Sequence, residues 1–153
     1  MVFDAALPGA WVGHDDLFFS GAWMFEKSGD NAFAETRTRE GEQPERYDIH
    51  LVRLGQVLFL DASCQDETVS THILGRVWIE GDVLRIALLD EDWLKGAITK
   101  KEVAVAYEQL GDENDQGGQI VLTASTEDLQ DFMVKRAKSD KAFPDPLELH
   151  RQK

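Results

Sequence analysis

The sequence predicts an all-β protein: an up-and-down antiparallel meander that closes into a barrel, followed by one late helix. Short segments with apolar residues at every second position recur along the chain, which is the period of a half-buried strand. The turns between them are too short for anything but antiparallel neighbours. Some strands are apolar on both faces, and a meander of eight or nine strands closes most easily into a barrel, which removes its exposed edges. A sandwich of two sheets is the alternative.

The clearest pair of strands is the hairpin Tyr47–Ala62, which folds back at residues 54–56. Its first strand alternates apolar and polar residues, as a half-buried strand does. Its second strand begins with Val57–Leu60, which is apolar at every position and is therefore expected to be covered on both sides.

Three strands are predicted before this hairpin. The first follows Leu7-Pro8-Gly9 and is anchored by Trp11; the second covers Leu17–Glu26; the third covers Phe33–Arg39. In the third strand, charged residues occupy alternate positions. We expect these charged side chains to face outward or to lie at an edge of the sheet: Glu35, Arg37 and Arg39.

After the hairpin, the meander is predicted to continue through four more strands. They cover Val69–Ile79, Val83–Leu89, Glu102–Leu110 and Gln119–Thr123. Between the second and third of these, Asp90–Lys95 begins with acidic residues and is expected to form one or two helical turns.

The late helix is predicted at about residues 126–138. Ser125 is suited to accept hydrogen bonds from its first backbone amides, and Asp128 complements the positive end of its dipole. Apolar residues at helical spacing form one stripe that would pack on the sheet. The tail, residues 142–153, is expected to dock through a few apolar side chains.

Length and charge limit the classes of function. At 153 residues, the chain is expected to form a single domain spanning residues 1–153. It carries 29 acidic and 16 basic side chains, a net charge of −13, which disfavours binding of nucleic acid or of anionic membrane surfaces. No apolar run approaches the ~20 residues of a transmembrane helix.

No pattern in the sequence predicts an enzyme, a metal site or a cofactor. Cys64 is the single cysteine, so it forms no intramolecular disulfide, and the polar segment around it offers nothing to activate it toward His72. The four histidines lack the spacing of zinc ligands. Residues 112–117 begin like a calcium loop, but Thr123 stands where the twelfth position needs a glutamate.

Gly9-Ala10-Trp11, followed by a meander of this length and a late helix, resembles the lipocalin or calycin superfamily. The resemblance implies that Trp11 plugs the closed end of the barrel. It also implies that a late arginine packs across that tryptophan, although the sequence does not identify which one.

Four segments also resemble those of small uncharacterised bacterial proteins: residues 50–55, 58–61, 92–94 and 122–126. This second resemblance implies no established activity. Some members carry export or lipoprotein leaders. We therefore expect a soluble protein, either cytoplasmic or, if a leader was trimmed, periplasmic or lipoprotein.

These observations favour a non-catalytic protein that binds a small, mostly apolar ligand inside the barrel. A cation such as Arg53 needs a partner if it is buried, either a ligand or an internal acid; we consider it a polar anchor. The aromatic residues expected to form the walls are Phe19, Trp23, Phe25, Tyr47 and Phe59. The alternative is a filled barrel that binds another protein through its acidic surface, with Trp78 or Trp93 at the contact.

Overall fold

A computed structural model describes residues 1–13, 21–65, 72–110 and 119–153. Over these residues the chain forms ten strands and two helices. The strands are β1 (Gly9–Val12), β2 (Ala22–Lys27), β3 (Phe33–Thr38), β4 (Glu45–Leu54), β5 (Val57–Cys64), β6 (His72–Glu80), β7 (Val83–Leu88), β8 (Tyr107–Leu110), β9 (Gln119–Leu122) and β10 (Leu147–Arg151). The helices are α1 (Glu91–Thr99) and α2 (Thr126–Arg136).

Eight strands form a closed barrel in the order β1-β10-β7-β6-β5-β4-β3-β2, and β2 pairs with β1 to close it. Every pairing is antiparallel. From β2 to β7, each strand is hydrogen-bonded to the next one along the chain. The predicted all-β, up-and-down barrel is therefore confirmed. Closure pairs each of these strands on both sides, so the barrel presents no free edge.

The chain divides into two compact units, residues 1–88 with 145–153 and residues 89–144. The first unit contains the barrel. The predicted strands near residues 102–110 and 119–123 do not join it: they pair with each other as β8 and β9 in a separate two-stranded sheet. The eighth barrel strand is β10, which lies in the tail that is predicted only to dock. Alternation identifies a strand but does not say which sheet it joins.

The second unit contains both helices, and a side chain caps each of them. Asp90 accepts a hydrogen bond from the backbone amide of Trp93 at 2.6 Å, so α1 begins where the acidic residues predicted and runs longer than two turns. Ser125 Oγ accepts from the amide of Asp128 at 3.2 Å, as predicted for α2. Two basic residues lie in the last turn of α2, at the negative end of the helix dipole.

The inner face of the barrel is packed with large apolar side chains. Alternate residues of each strand point inward, and among the described residues fourteen buried ones form one cluster. The cluster consists of Leu7, Trp11, Trp23, Phe25, Phe33, Ile49, Leu51, Leu58, Leu60, Ala62, Val77, Leu84, Ile86 and Leu149.

Residues 1–8 close one end of the barrel, called here the N-terminal end. The amide of Val2 donates to the carbonyl of Leu51 at 2.8 Å. The ring of Phe3 stacks on Phe33 with 5.2 Å between centroids, and Leu7 is completely buried. At the opposite end, β1 and β3 finish and β2 and β4 begin.

Candidate functional site

Trp11 lies completely buried at the N-terminal end of the barrel. Its indole Nε1 donates a hydrogen bond to the carbonyl of Leu7 at 2.8 Å. The guanidinium of Arg151 lies across the ring, with its central carbon 4.2 Å from the ring centroid. Arg151 also donates to the carbonyls of Pro8, at 2.9 Å, and Ala6. One arginine thus ties the last barrel strand to the segment that precedes the first.

The backbone conformation of Gly9 explains why a glycine stands two residues before Trp11. Its φ of +129° is one that side-chain-bearing residues rarely adopt. A Cβ at this position would lie 2.7 Å from Nη1 of Arg151. The glycine of the Gly-x-Trp pattern is therefore favoured by the backbone conformation and by the close approach of Arg151.

The structure places the predicted wall residues in different surroundings. Trp23 and Phe25 are buried in the inner cluster, and Tyr47 is half-buried against it. Phe19 lies outside the described residues. Phe59 is only 3% exposed, but it alternates with Leu58 and Leu60 of the inner cluster. The expectation that Phe59 faces the interior is therefore wrong, because successive side chains of a strand point to opposite faces.

Arg53 shares a strand face with Leu51 but lies at the N-terminal end, where its side chain is 47% exposed. Its guanidinium is 3.9 Å from the carboxylate of Asp4. Both residues line a groove with a volume of about 200 Å³, of which Trp78 forms another part. Arg53 is therefore paired at the rim of the closed end, not inside the barrel as an anchor.

Among the described residues, Glu35 and Arg37 form a charged pair inside the barrel, on the same face of β3 as the core residue Phe33. The side chain of Glu35 is fully buried and that of Arg37 is 16% exposed. The guanidinium donates to both carboxylate oxygens, from Nε and, at 3.4 Å, from Nη2. The expectation that these two side chains face outward is wrong. The signal in the sequence is their spacing from Phe33, which places all three residues on one face of the strand.

The guanidinium of Arg37 lies between two aromatic rings. Its central carbon is 4.0 Å from the ring centroid of Trp23 and 4.3 Å from that of Tyr47. Arg37 is the direct cross-strand partner of Trp23 on one side and of Glu45 on the other. The hydroxyl of Tyr47 donates to Glu45 at 3.3 Å. We call these five residues, Trp23, Glu35, Arg37, Glu45 and Tyr47, the Arg37 cluster.

Burial perturbs two acids of the Arg37 cluster. Desolvation raises the pKa of the Glu35 carboxyl above its ordinary value, against the opposing effect of the Arg37 guanidinium. Desolvation likewise raises the pKa of the Tyr47 phenol. A perturbed acid inside a barrel is a physical pointer to a functional site, although structural ion pairs produce the same effect.

Cys64 and His72 cannot act as a nucleophile and its base. Cys64 pairs with Tyr47 and shares its face of the sheet. His72 pairs with Ser63, on the other face of β5, where its Nδ1 lies 2.6 Å from Asp61 Oδ1. The wall of the barrel separates the thiol from the imidazole.

The two tryptophans expected at a protein contact are both half-buried. Arg76 lies over the ring of Trp78, 4.4 Å from its centroid. Arg136 lies over the ring of Trp93 at 5.8 Å. An arginine guanidinium therefore lies over one face of each indole.

Among the described ranges, no group of three or more histidine, cysteine, aspartate and glutamate side chains is placed to hold a metal ion. The calcium-like residues 112–117 lie outside those ranges. Within the part of the chain that the structure describes, no helix is long and apolar enough to cross a membrane. Comparisons with family models, with curated proteins and with solved structures gave no match.

Proposed function

We propose that this protein is a non-catalytic binding protein whose barrel holds one small, mostly apolar ligand, with the polar part of the ligand at the Arg37 cluster. The observation that carries the proposal is the Glu35–Arg37 ion pair on the inner face of the barrel. Apolar residues of the inner cluster surround this pair. Binding pockets likewise combine largely hydrophobic walls with a few polar groups.

A barrel that needed only stability would gain little from this pair. Removing two charges from water costs several kcal/mol per ion, and an apolar pair of similar volume is often equally stable or more stable. The guanidinium of Arg37 also lies between the rings of Trp23 and Tyr47. Charged groups among aromatic rings are suited to the recognition of a polar ligand group.

The closed N-terminal end supports the same proposal. Gly9, Trp11 and Arg151 form the arrangement that the lipocalin or calycin resemblance implies, a buried tryptophan crossed by a late arginine. In such a barrel the ligand enters from the other end. The Arg37 cluster lies in that direction, because Arg37 is the second-last residue of β3 and Glu45 is the first of β4.

Native mass spectrometry of gently purified protein, repeated after denaturing extraction, tests this function. We expect a reproducible adduct of small-molecule mass that denaturation removes. The double variant Glu35→Gln/Arg37→Met removes both inner charges and leaves neither unpaired, and it should lose or weaken the adduct. The matched control is Arg85→Met/Glu148→Gln, an exposed Arg–Glu pair of the same kind, which should retain it.

A bare monomer mass in every preparation would refute the proposal. It would then favour the alternative, a filled barrel that binds another protein through its acidic surface. A clean dimer would direct attention to the surface by which two copies associate. An adduct that both double variants retain equally would show a ligand held elsewhere than at the Arg37 cluster.

A further inference from the structure

We propose that the polar head of the ligand is a cation, such as a primary amine or a guanidinium, and not a carboxylate. This inference rests on the proposed function and specifies its ligand class. It is based on the charges of the Arg37 cluster, on its aromatic rings and on the position of Arg37 in β3.

The charges of the Arg37 cluster favour a positive head group. Glu35 and Glu45 supply two carboxylates, and Arg37 supplies one guanidinium, so the cluster has an excess of one negative charge. The guanidinium is already hydrogen-bonded to Glu35 and lies directly across the sheet from Glu45. A ligand carboxylate would therefore meet two like charges and compete for a donor that is already occupied. An amine would meet the excess carboxylate.

The aromatic rings of the cluster already hold a cation. The guanidinium of Arg37 lies 4.0 Å and 4.3 Å from the ring centroids of Trp23 and Tyr47, which is the geometry of a cation–π contact on two faces. Two rings with carboxylates beside them are the surroundings in which proteins bind organic cations. Arg37 thus occupies the position that a ligand cation would prefer.

Arg37 is also placed so that it can leave this position. Only Thr38 follows it in β3, at the end of the barrel opposite the closed one. Its side chain is partly exposed, whereas that of Glu35 is fully buried. A long, flexible side chain near a strand end can turn outward and leave Glu35 to pair with the incoming cation. Arg37 then acts as an internal substitute for the ligand.

Three probes with the same ten-carbon chain test the head group: decylamine, decanol and decanoate. Each would be titrated below its micellar concentration at neutral pH, with tryptophan fluorescence and calorimetry as the readouts. We expect decylamine to bind about tenfold more tightly than decanoate, the effect of one partly screened charge. Decanol should fall between them.

Two variants sharpen the test, with one control. Arg37→Ala removes the internal competitor and should strengthen decylamine binding, whereas a carboxylate-binding site would lose affinity. Glu45→Gln should reduce the preference for amine over alcohol. Glu148→Gln, an exposed carboxylate on the outer surface, should leave that preference unchanged. Circular dichroism checks that each variant folds, and if Arg37→Ala does not, the wild-type and Glu45→Gln titrations decide alone.

The outcomes separate this inference from the function on which it rests. Equal or tighter binding of decanoate, abolished in Arg37→Ala, would overturn the cation and leave the ligand-binding barrel intact. No binding of any probe, together with a bare mass in native spectrometry, would overturn both. If no probe binds but the native adduct persists, an alkyl cation is refuted as the ligand class. The proposal that the barrel carries a ligand is then retained. Amine preference that Glu45→Gln leaves unchanged would place the cation elsewhere and so refute the assignment to this cluster.

Discussion

Replacing Gly9 with alanine should reduce the free energy of unfolding by about 3 kcal/mol. Gly9 precedes the buried Trp11 by two residues and has a φ of +129°. Alanine adds one methyl group and no polar atom. The substitution therefore tests the backbone conformation and the space at this position, with little change in chemistry.

Two contributions make up this magnitude. A side-chain-bearing residue in a sparsely populated backbone region costs about 1–3 kcal/mol, and we take about 2. The new Cβ would lie 2.7 Å from Nη1 of Arg151, so the guanidinium must move. It donates to the carbonyls of Pro8 and Ala6, and weakening these bonds costs on the order of 1 kcal/mol. The movement itself is cheap, since Nη1 is the far end of a flexible side chain.

Urea unfolding followed by tryptophan fluorescence and by circular dichroism would measure the effect. Gly55→Ala is the matched control, because Gly55 also has a positive φ, +63°, but a Cβ there meets nothing within 4 Å. It should cost only about 1 kcal/mol, the strain of a single left-handed residue. A Gly9→Ala loss of only about 2 kcal/mol, the backbone strain alone, would refute the contribution of Arg151. A loss below about 0.5 kcal/mol would refute the backbone argument as well.

Trp11→Ala should destabilise the protein by about 3–5 kcal/mol, because it truncates a fully buried side chain; a loss under 1 kcal/mol in the same urea experiment would contradict this. Ser125→Ala removes the cap of α2 and should cost about 1 kcal/mol, so an unchanged urea midpoint would exclude the cap. The folded-state pKa of Glu35 is raised by burial, so its contribution to stability is greatest below its ordinary value of 4.5 and is lost as pH rises through the raised pKa. The stability of wild type relative to Glu35→Gln should therefore increase on acidification from neutral pH. The pKa of Glu148 is lowered by its hydrogen bond with Arg85, so wild type relative to Glu148→Gln should lose stability on acidification. Two slopes of the same sign would contradict one of these two assignments.

Much of the barrel could be predicted from local patterns. The hairpin of β4 and β5 turns at Gly55, as the alternation and the glycine indicated. Ser125 caps α2 as predicted. Periodicity and capping act within one element, so the residues of that element carry the information.

Sheet membership could not be predicted in the same way. β8 and β9 alternate like barrel strands but pair with each other in the other unit, and β10 completes the barrel after 58 intervening residues, 89–146, from β7. Hydrogen bonds of a ladder join whichever backbones the fold brings together. The identity of the partner strand is therefore a property of the whole chain.

The Arg37 cluster shows the same division inside one strand. Phe33, Glu35 and Arg37 alternate, which assigns them to one face. That this face is the interior depended on the core around Phe33, and the pairing of Arg37 with Trp23 and Glu45 depended on the register of β2, β3 and β4. The sequence shows that Glu35 and Arg37 share a strand face, but it does not show that this face is buried.

By itself, the amino-acid sequence determined the class of fold, the hairpin, the helix caps and the glycine–tryptophan pattern at the closed end, because each depends on residues close together in the chain. Only the tertiary structure decided which strand completes the barrel, that Arg151 crosses Trp11, and that Glu35 and Arg37 lie inside. Those features join residues far apart along the chain, and contacts of that kind arise from closure and register, which set which side chains share the interior.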